Sequence, residues 1–311
     1  MLGQIVEITT EGTRLSLKRG FLDVSGPDGP IGQVPLDDIE ALIASTPAIT
    51  YSNQLLAALA ERGSPVVICS KHYVPAAFLL PVDGHYAQGE RFDAQAGASQ
   101  PLKKRVWAAL VKAKISGQAA VLNETGRNPE SLRHLATRVK SGDSGNVEAQ
   151  AAQHYWPALL GKNFRRDRSA EDVNVYLNYG YTVLRAATAR AIVASGLHPS
   201  LGLHHKSGGD ALRLADDLME PFRPAVDLMA YELHQDKPGP LTSPLKRRLA
   251  GVLHADYLTE QGVSTLSNAL NRLAQSLAQI FLKERKELIL PHSPIPLSED
   301  EAARLKSDEI P

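Results

Sequence analysis

Two adjacent histidines and three nearby acidic residues are the side chains of this sequence best suited to chemistry. They lie within the stretch 202–224, as His204, His205, Asp216, Asp217 and Glu220. Imidazole and carboxylate groups together form a mixed donor set that suits Mn²⁺ or Mg²⁺, and zinc is less favoured because no thiolates accompany them. Lone histidines are more often structural or simply exposed, so the spacing alone leaves both interpretations open.

The three acidic residues are predicted to share one side of a helix that begins at Asp210, a suitable N-cap. At about 100° per residue, Asp216, Asp217 and Glu220 fall opposite the apolar face. They also lie near the C-terminal end of the helix, where the helix dipole disfavours anions and where spacings of three and four residues bring like charges together. A counter-ion is therefore expected, and two candidates stay open: Arg213 on the same face, or a divalent cation.

A further carboxylate, Glu148, falls in the first turn of another predicted helix. Asn146 or Ser144 would cap this helix, which runs through 149–160 and ends at Gly161. A glutamate in a first turn is ordinarily a surface residue favoured by the helix dipole. Spacing alone therefore does not assign Glu148 to a site.

The elements that must position these residues change character along the chain. Alternating apolar and polar residues predict strands at 4–8, 14–18 and 21–25 in the first part of the chain. A helix is predicted at 53–62, and the apolar run that follows it predicts a buried strand at 65–69. Beyond residue 101 the apolar residues recur every three or four positions, as in helices. We predict an α+β protein with a small N-terminal β-rich domain (1–88), a linker (89–100), a larger all-α catalytic domain (101–290) and an extended or disordered tail (291–311).

Composition excludes several classes of protein. The chain has 311 residues, of which 43% are hydrophobic and 22% charged, so it is not a disordered, collagenous or fibrous chain. Cys69 is the only cysteine, which excludes an internal disulfide and a cysteine zinc cluster. No apolar run approaches the roughly 18 residues of a membrane span, and no targeting signal is evident, so we expect a cytoplasmic location and no membrane partner.

Charge is distributed unevenly, although the formal net charge is zero. Residues 1–90 carry five Lys/Arg and ten Asp/Glu, whereas residues 103–140 carry nine and two. The basic stretch, which starts with Lys103, Lys104 and Arg105, is able to offer a cationic surface to a phosphate backbone. Runs of charge on helices are more often only solvated faces, so this feature alone does not establish nucleic-acid binding.

Four short motifs occur in order along the chain: Gly145-Asn-Val-Glu148-Ala with Tyr155-Trp156, Asn178-Tyr-Gly-Tyr181 with Leu184-Arg185, Gly202-Leu-His-His205, and Asp217-Leu-Met-Glu-Pro-Phe-Arg-Pro224. Together they resemble the CRISPR adaptation integrase family, the Cas proteins that insert new spacers. The last motif resembles the branch of the family that accompanies type II systems. The similarity extends over nearly the whole chain, and the four motifs in order are far more specific than any one of them.

The resemblance implies a metal site and a set of DNA contacts. Its catalytic metal ligands would be Glu148, His205 and Glu220, binding Mg²⁺ or Mn²⁺. Asp217 stands where other branches carry a neighbouring acidic residue, which leaves the division of ligand duty between Asp217 and Glu220 open. His204 would support a ligand or face the DNA, and the residues that bind phosphates would be Lys103, Lys104, Arg105, Lys206 and Arg223.

The resemblance also implies a reaction and its partners. Two sites in a dimeric assembly would join the 3′-hydroxyl ends of a captured double-stranded DNA fragment to the CRISPR repeat by transesterification. We expect a homodimer formed through the N-terminal β domain, a small ferredoxin-like adaptation protein that bridges two dimers, and contact with the type II effector machinery. Two alternatives are a metal-dependent nuclease that cleaves branched DNA in repair, and a non-enzymatic DNA-binding scaffold in which Arg213 neutralises the acidic helix.

Overall fold

The computed structural model of the chain describes residues 4–46, 48–69, 75–167, 169–205, 211–236 and 239–308. Its strands are β1 (Gln4–Ile8), β2 (Thr13–Lys18), β3 (Phe21–Gly26), β4 (Gly29–Pro35), β5 (Ile39–Ala44), β6 (Ile49–Tyr51), β7 (Val66–Cys69), β8 (Pro75–Leu79), β9 (Asp256–Thr259) and β10 (Gly262–Thr265). Its helices are α1 (Asn53–Glu61), α2 (Gln88–Ala96), α3 (Gln100–Glu124), α4 (Glu130–Thr137), α5 (Val147–Leu160), α6 (Val173–Ala194), α7 (Arg213–Leu218), α8 (Arg223–Asp236), α9 (Ser243–Ala250), α10 (Leu266–Phe281) and α11 (Glu299–Asp308).

The N-terminal part contains two four-stranded sheets, in the orders β1-β5-β7-β8 and β4-β3-β2-β6. Strand β5 is buried along its whole length. Because consecutive side chains of a strand point to opposite faces, Leu42 packs into a small core with Leu15 and Leu22, while Ala41 and Ile43 pack into the core of the helical part. One sheet is thus covered on both faces and joins the two parts of the molecule.

The C-terminal part is helical apart from the β9–β10 hairpin. Helix α3 contacts α4, α5 and α8, and helix α6 contacts α8, α9 and α10. The predicted fold class, a small β-rich N-terminal part followed by a larger helical part, is confirmed. Among the described helices, none combines the length and the apolar character needed to cross a membrane.

The segment 89–100, predicted as a linker, contains most of helix α2. Gln95 is fully buried and attaches this helix to the helical part. Its amide NH₂ group donates to the carbonyl oxygens of His198 and Leu201, and its amide oxygen accepts from the backbone N–H of His198. These contacts lie more than 100 residues apart in sequence, so the local composition of the segment did not indicate them.

The segment 291–311, predicted as extended or disordered, contains helix α11. Ser298 and Glu301 form a capping box, in which the serine hydroxyl accepts from the N–H of Glu301 and the glutamate accepts from the N–H of Ser298. Ala302 is buried, and Lys306 pairs with Asp256 at 2.7 Å. A Ser-x-x-Glu spacing is a readable helix-start signal, and the acidic, proline-containing surroundings obscured it.

Gly180 allows the central helices α6 and α8 to approach closely, because a Cβ atom there would lie 2.5 Å from Cγ1 of Val226. We predict that Gly180→Ala lowers the free energy of unfolding by about 1–3 kcal/mol through overpacking. Gly89→Ala in helix α2 is the matched control, since a Cβ atom at Gly89 would meet nothing within 4 Å. Urea denaturation measures the free energy of unfolding of both variants. Equally small changes in the two variants would contradict the close approach of α6 and α8.

Candidate active site

Asp217 organises the loop that carries the two histidines. Its side chain is fully buried on α7. One carboxylate oxygen accepts the backbone N–H groups of Leu203 at 2.6 Å and His204 at 3.2 Å, and the other accepts the N–H of His205 at 3.3 Å. The second oxygen also lies 2.7 Å from Nδ1 of His205. Both oxygens are therefore occupied in holding the loop.

The ring of His205 is oriented by this contact and by Trp107. The hydrogen bond to Asp217 raises the pKa of His205 above its ordinary value, although partial burial opposes the effect. The His204 ring stacks in parallel on Trp107 at 4.4 Å, and the His205 ring meets the same indole edge-on at 5.7 Å. Because Nδ1 faces Asp217, Nε2 is the nitrogen of His205 that is available to a cation.

Glu148 lies in the first turn of α5, as predicted, but the predicted cap is wrong. Asn146 has a left-handed backbone with φ of 49° and its side chain makes no cap bond. The cap is the carboxylate of Asp143, which accepts the N–H groups of Val147 at 2.8 Å and Glu148 at 3.0 Å. The helix ends before Gly161, whose φ is 97°, as the sequence predicted.

Glu220 lies in the short turn between α7 and α8 and is buried, with 3% of its surface exposed. Its carboxylate contacts Nζ of Lys114 at 2.6 Å and Nε of Arg223 at 2.9 Å. Burial would raise the pKa of Glu220, but Arg223 and Lys114 hold it below its ordinary value. Glu220 also lies near enough to His205 for each group to affect the pKa of the other.

Lys114, on α3, joins the two glutamates. Its Nζ atom lies 2.5 Å from Oε1 of Glu148 and 2.6 Å from Oε2 of Glu220. Burial would lower the pKa of Lys114, but these two carboxylates raise it above its ordinary value. The sequence analysis placed Lys114 only within the basic stretch 103–140. The positions of Leu110, Val111 and Gln118 indicate that Lys114 lies on the buried side of the helix.

The acidic residues of the 202–224 stretch do not share one face. Asp216 pairs with the guanidinium of Arg185 at 2.7 Å and 2.8 Å, Asp217 is buried under the histidine loop, and Glu220 faces Lys114. The prediction of a single acidic face is wrong because α7 ends at residue 218 and a 3₁₀ turn changes the chain direction before Glu220. Within the described part of the chain, Arg213 forms none of these ion pairs. Asp210, the predicted N-cap of this helix, lies outside the described residues.

The predicted phosphate-binding residues divide into three groups. Lys104 and Arg105 are exposed and Lys103 is half-buried, near the start of α3. Arg223 is instead held against Glu220, and its guanidinium lies 4.6 Å from the centre of the Tyr181 ring. Lys206 lies outside the described residues.

A cavity of about 160 Å³ lies beside Lys114 and Arg223, the two cations that contact Glu220. Among the groups that line it are Lys114, Arg166, Arg223 and Asp227. Asp227 is fully buried and accepts the hydroxyl groups of the motif tyrosines Tyr155 and Tyr181. Burial raises the pKa of Asp227 to about 6. Tyr155 is therefore part of the core.

The family model described as CRISPR associated protein Cas1 matches residues 6–272 of the chain. The chain belongs to the Cas1 family. It is 40% identical over 295 residues to the CRISPR-associated endonuclease Cas1 of Neisseria meningitidis serogroup C, strain 8013, covering 93% of this chain and 95% of that protein. The family expected from the four motifs is confirmed.

Solved structures match the fold of this chain over more than nine-tenths of its length. A casposase bound to an integration product matches with a TM-score of 0.80 at 18% identity, covering 98% of both chains. A chain of a Cas6-RT-Cas1–Cas2 complex matches with a TM-score of 0.72 at 18% identity, covering 91% of this chain and 35% of that one. At these identities the likeness concerns the fold alone.

We predict that Asp217→Asn destabilises this Cas1 family member by about 2 kcal/mol, because an amide NH₂ group would face N–H donors that then stay unsatisfied. The pKa of His205 should fall, since the Asp217 hydrogen bond is what raises it. Asp256→Asn is the control: it removes an ion pair with the exposed Lys306, and the cost should stay below about 1 kcal/mol. Urea denaturation and NMR titration of His205 give the readouts. An unchanged His205 pKa in Asp217→Asn would contradict the positioning role.

Proposed function

We propose that this protein is a metal-dependent DNA integrase and endonuclease of CRISPR adaptation, which joins 3′-hydroxyl ends of captured DNA to the CRISPR repeat by transesterification. The observation that carries the proposal is the convergence of Glu148 and Glu220 on one cation position, with His205 held by Asp217, three residues before Glu220. These residues come from three separate motifs of a Cas1 family chain. The casposase with the same fold, which is bound to an integration product, supports a strand-joining reaction.

The donor chemistry fits Mg²⁺ or Mn²⁺. Two carboxylates lie around a position that a cationic group already fills, and an imidazole presents its Nε2 while a buried carboxylate fixes its Nδ1. Glu148, His205 and Glu220 would hold the ion, and Asp217 would position His205. In the described parts of the chain, no three His, Cys, Asp or Glu side chains already surround a common ion position. Nζ of Lys114 lies between two of the proposed ligands.

The chain itself supplies charge and position, and the DNA supplies the nucleophile. A bound divalent ion would lower the pKa of the attacking 3′-hydroxyl and stabilise the leaving oxygen. Arg223, held at the site by Glu220, contributes fixed positive charge beside the reacting phosphate. The exposed end of α3, with Lys103, Lys104 and Arg105, would bind the DNA backbone further from the site, and we include Lys206 and His204 as contacts next to the ligand His205.

The two alternatives fare differently. A nuclease that uses water in place of a 3′-hydroxyl as the nucleophile needs the same metal ligands. Because the Neisseria relative is named an endonuclease, we retain nuclease activity as a second candidate function. The scaffold hypothesis required Arg213 to neutralise the acidic helix, whereas Arg185, Lys114 and Arg223 are the cations that pair with these carboxylates. The ion pairs therefore do not support the scaffold hypothesis in the form that depends on Arg213.

The proposed partners are double-stranded DNA, a second copy of the chain and a small ferredoxin-like adaptation protein that bridges two dimers. A Cas1–Cas2 complex is among the proteins with this fold, which supports the bridging partner, and we retain the type II effector machinery as a further one. For the homodimer, strand β4 lies at the edge of its sheet, with Ile31 56% exposed and Phe21 on the adjoining strand 38% exposed. An apolar open edge of this kind is suited to pairing across a two-fold axis.

We predict that Glu148→Gln, His205→Ala and Glu220→Gln each lower strand joining by at least about 100-fold, because each removes a metal ligand. The assay measures the joining, in Mn²⁺, of DNA fragments with free and with blocked 3′ ends. Only the fragments with free 3′ ends should react. Glu130→Gln is the control, since this glutamate lies on the surface at the start of α4 and pairs with an exposed arginine, Arg133. Near-normal joining by Glu148→Gln would show that the metal-site assignment is wrong.

Charge reversal at the start of α3 tests the proposed DNA surface. The triple variant Lys103→Glu, Lys104→Glu, Arg105→Glu should bind duplex DNA more weakly at every sequence. The slope of log affinity against log salt should fall by about 0.9 for each DNA phosphate that the variant no longer neutralises. Lys283→Glu with Lys286→Glu, two exposed residues beyond α10, should leave the affinity nearly unchanged. Fluorescence anisotropy over a series of salt concentrations measures these affinities. A wild-type affinity that does not depend on salt would contradict the proposed basic surface.

A further inference from the structure

We propose that the ammonium group of Lys114 occupies, in the metal-free protein, the position of the divalent ion between Glu148 and Glu220, and that it has to leave this position when the ion binds. The inference rests on the proposed function, because it takes these two glutamates as metal ligands. It adds a residue that the ligand motifs do not contain and that lies on a different helix, α3.

The geometry is that of one cation between two anions. Nζ of Lys114 lies 2.5 Å from one glutamate and 2.6 Å from the other, and only 14% of the lysine side chain is exposed. Glu148 lies in the first turn of α5 and Glu220 lies in the turn before α8, so the ammonium joins two elements that are far apart in sequence. A divalent ion bound by the same two carboxylates would need the volume that Nζ now fills.

Lys114 also accounts for the stability of the site without a metal. Arg223 contacts Glu220, whereas Lys114 is the cation that contacts both glutamates in the described part of the chain. Removing one member of a buried ion pair leaves an uncompensated charge, which is strongly destabilising. Without Lys114 the two carboxylates would repel each other until a metal ion supplied the missing positive charge. The lysine would therefore stabilise the two glutamates when no metal is bound and compete with the ion for its position.

The structure provides space for the displaced side chain. Lys114 lines the cavity of about 160 Å³ that also borders Trp156 and Tyr181. A lysine ammonium is carried on a flexible four-carbon stem, so it is able to move without a change in the helix that bears it. The displacement requires a side-chain rotation and no rearrangement of α3.

The test measures binding of Mn²⁺ alone to the full-length chain, without DNA, by calorimetry and by electron paramagnetic resonance. Lys114→Met removes the charge and keeps a side chain of similar length, and Lys114→Arg keeps the charge. Lys112→Met is the matched control, since Lys112 is exposed on the same helix. We expect Lys114→Met to bind Mn²⁺ at least about fivefold more tightly than the wild type, and Lys112→Met and Lys114→Arg to show no such gain.

Thermal unfolding gives a second, independent readout. Without metal, Lys114→Met should melt below the wild type, because its two glutamates lack their shared cation. Saturating Mn²⁺ should raise its melting temperature by more than it raises that of the wild type, since tighter binding stabilises the folded state more. If Lys114→Met does not fold, Lys114→Gln replaces it in both measurements, with the same expected directions.

Equal or weaker Mn²⁺ binding by the uncharged variants would overturn the displacement proposal. Glu148→Gln separates this failure from failure of the proposed function. If Glu148→Gln abolishes Mn²⁺ binding while the uncharged variants bind like the wild type, the metal site is correct and only the displacement is wrong. If Glu148→Gln binds Mn²⁺ as well as the wild type does, or if no variant binds it, the metal site itself is wrong and both proposals fail.

Discussion

Two carboxylates from distant parts of the chain, Glu148 and Glu220, approach a single buried ammonium group, that of Lys114. Charges out of water are tolerated only when they are paired and held in good geometry. Helices α3 and α5 and the turn before α8 must therefore keep a fixed relation to one another. The core beneath them, which includes Trp107 and Phe222, supplies the rigid packing that makes this possible.

The remaining parts of the site are held by a second set of buried polar groups. Asp217 accepts three backbone N–H groups and contacts His205, so the loop before α7 follows the position of one carboxylate. Asp227, which lines the cavity beside Lys114, accepts the hydroxyls of Tyr155 and Tyr181. Asp217, Asp227 and Tyr155 are too buried to meet substrate. Several motif residues therefore serve to position the groups that act.

The sequence predicted the fold class and the family, because both depend on patterns that are local. Alternation identified β1, β2 and β3, an apolar run identified β7, and the 3.6-residue period identified the helical part, whereas β4, β5, β6 and β8 were not predicted. Contacts between distant residues were beyond such reasoning. The roles of Lys114 and Asp217 depend on side chains that only the fold brings together, and Asp143 caps α5 because the turn before it folds back on the helix. The capping box of α11, by contrast, was readable in the sequence.

The central claim is that Glu148, His205 and Glu220 hold one divalent ion, at the place where Lys114 now lies. Anomalous X-ray diffraction from crystals soaked in Mn²⁺ tests it most directly. The account predicts one strong anomalous peak about 2.2 Å from a carboxylate oxygen of each glutamate and from Nε2 of His205, with Nζ of Lys114 moved away from both glutamates. A peak elsewhere, or a Lys114 that still joins the two glutamates in a Mn²⁺-saturated crystal, would contradict it.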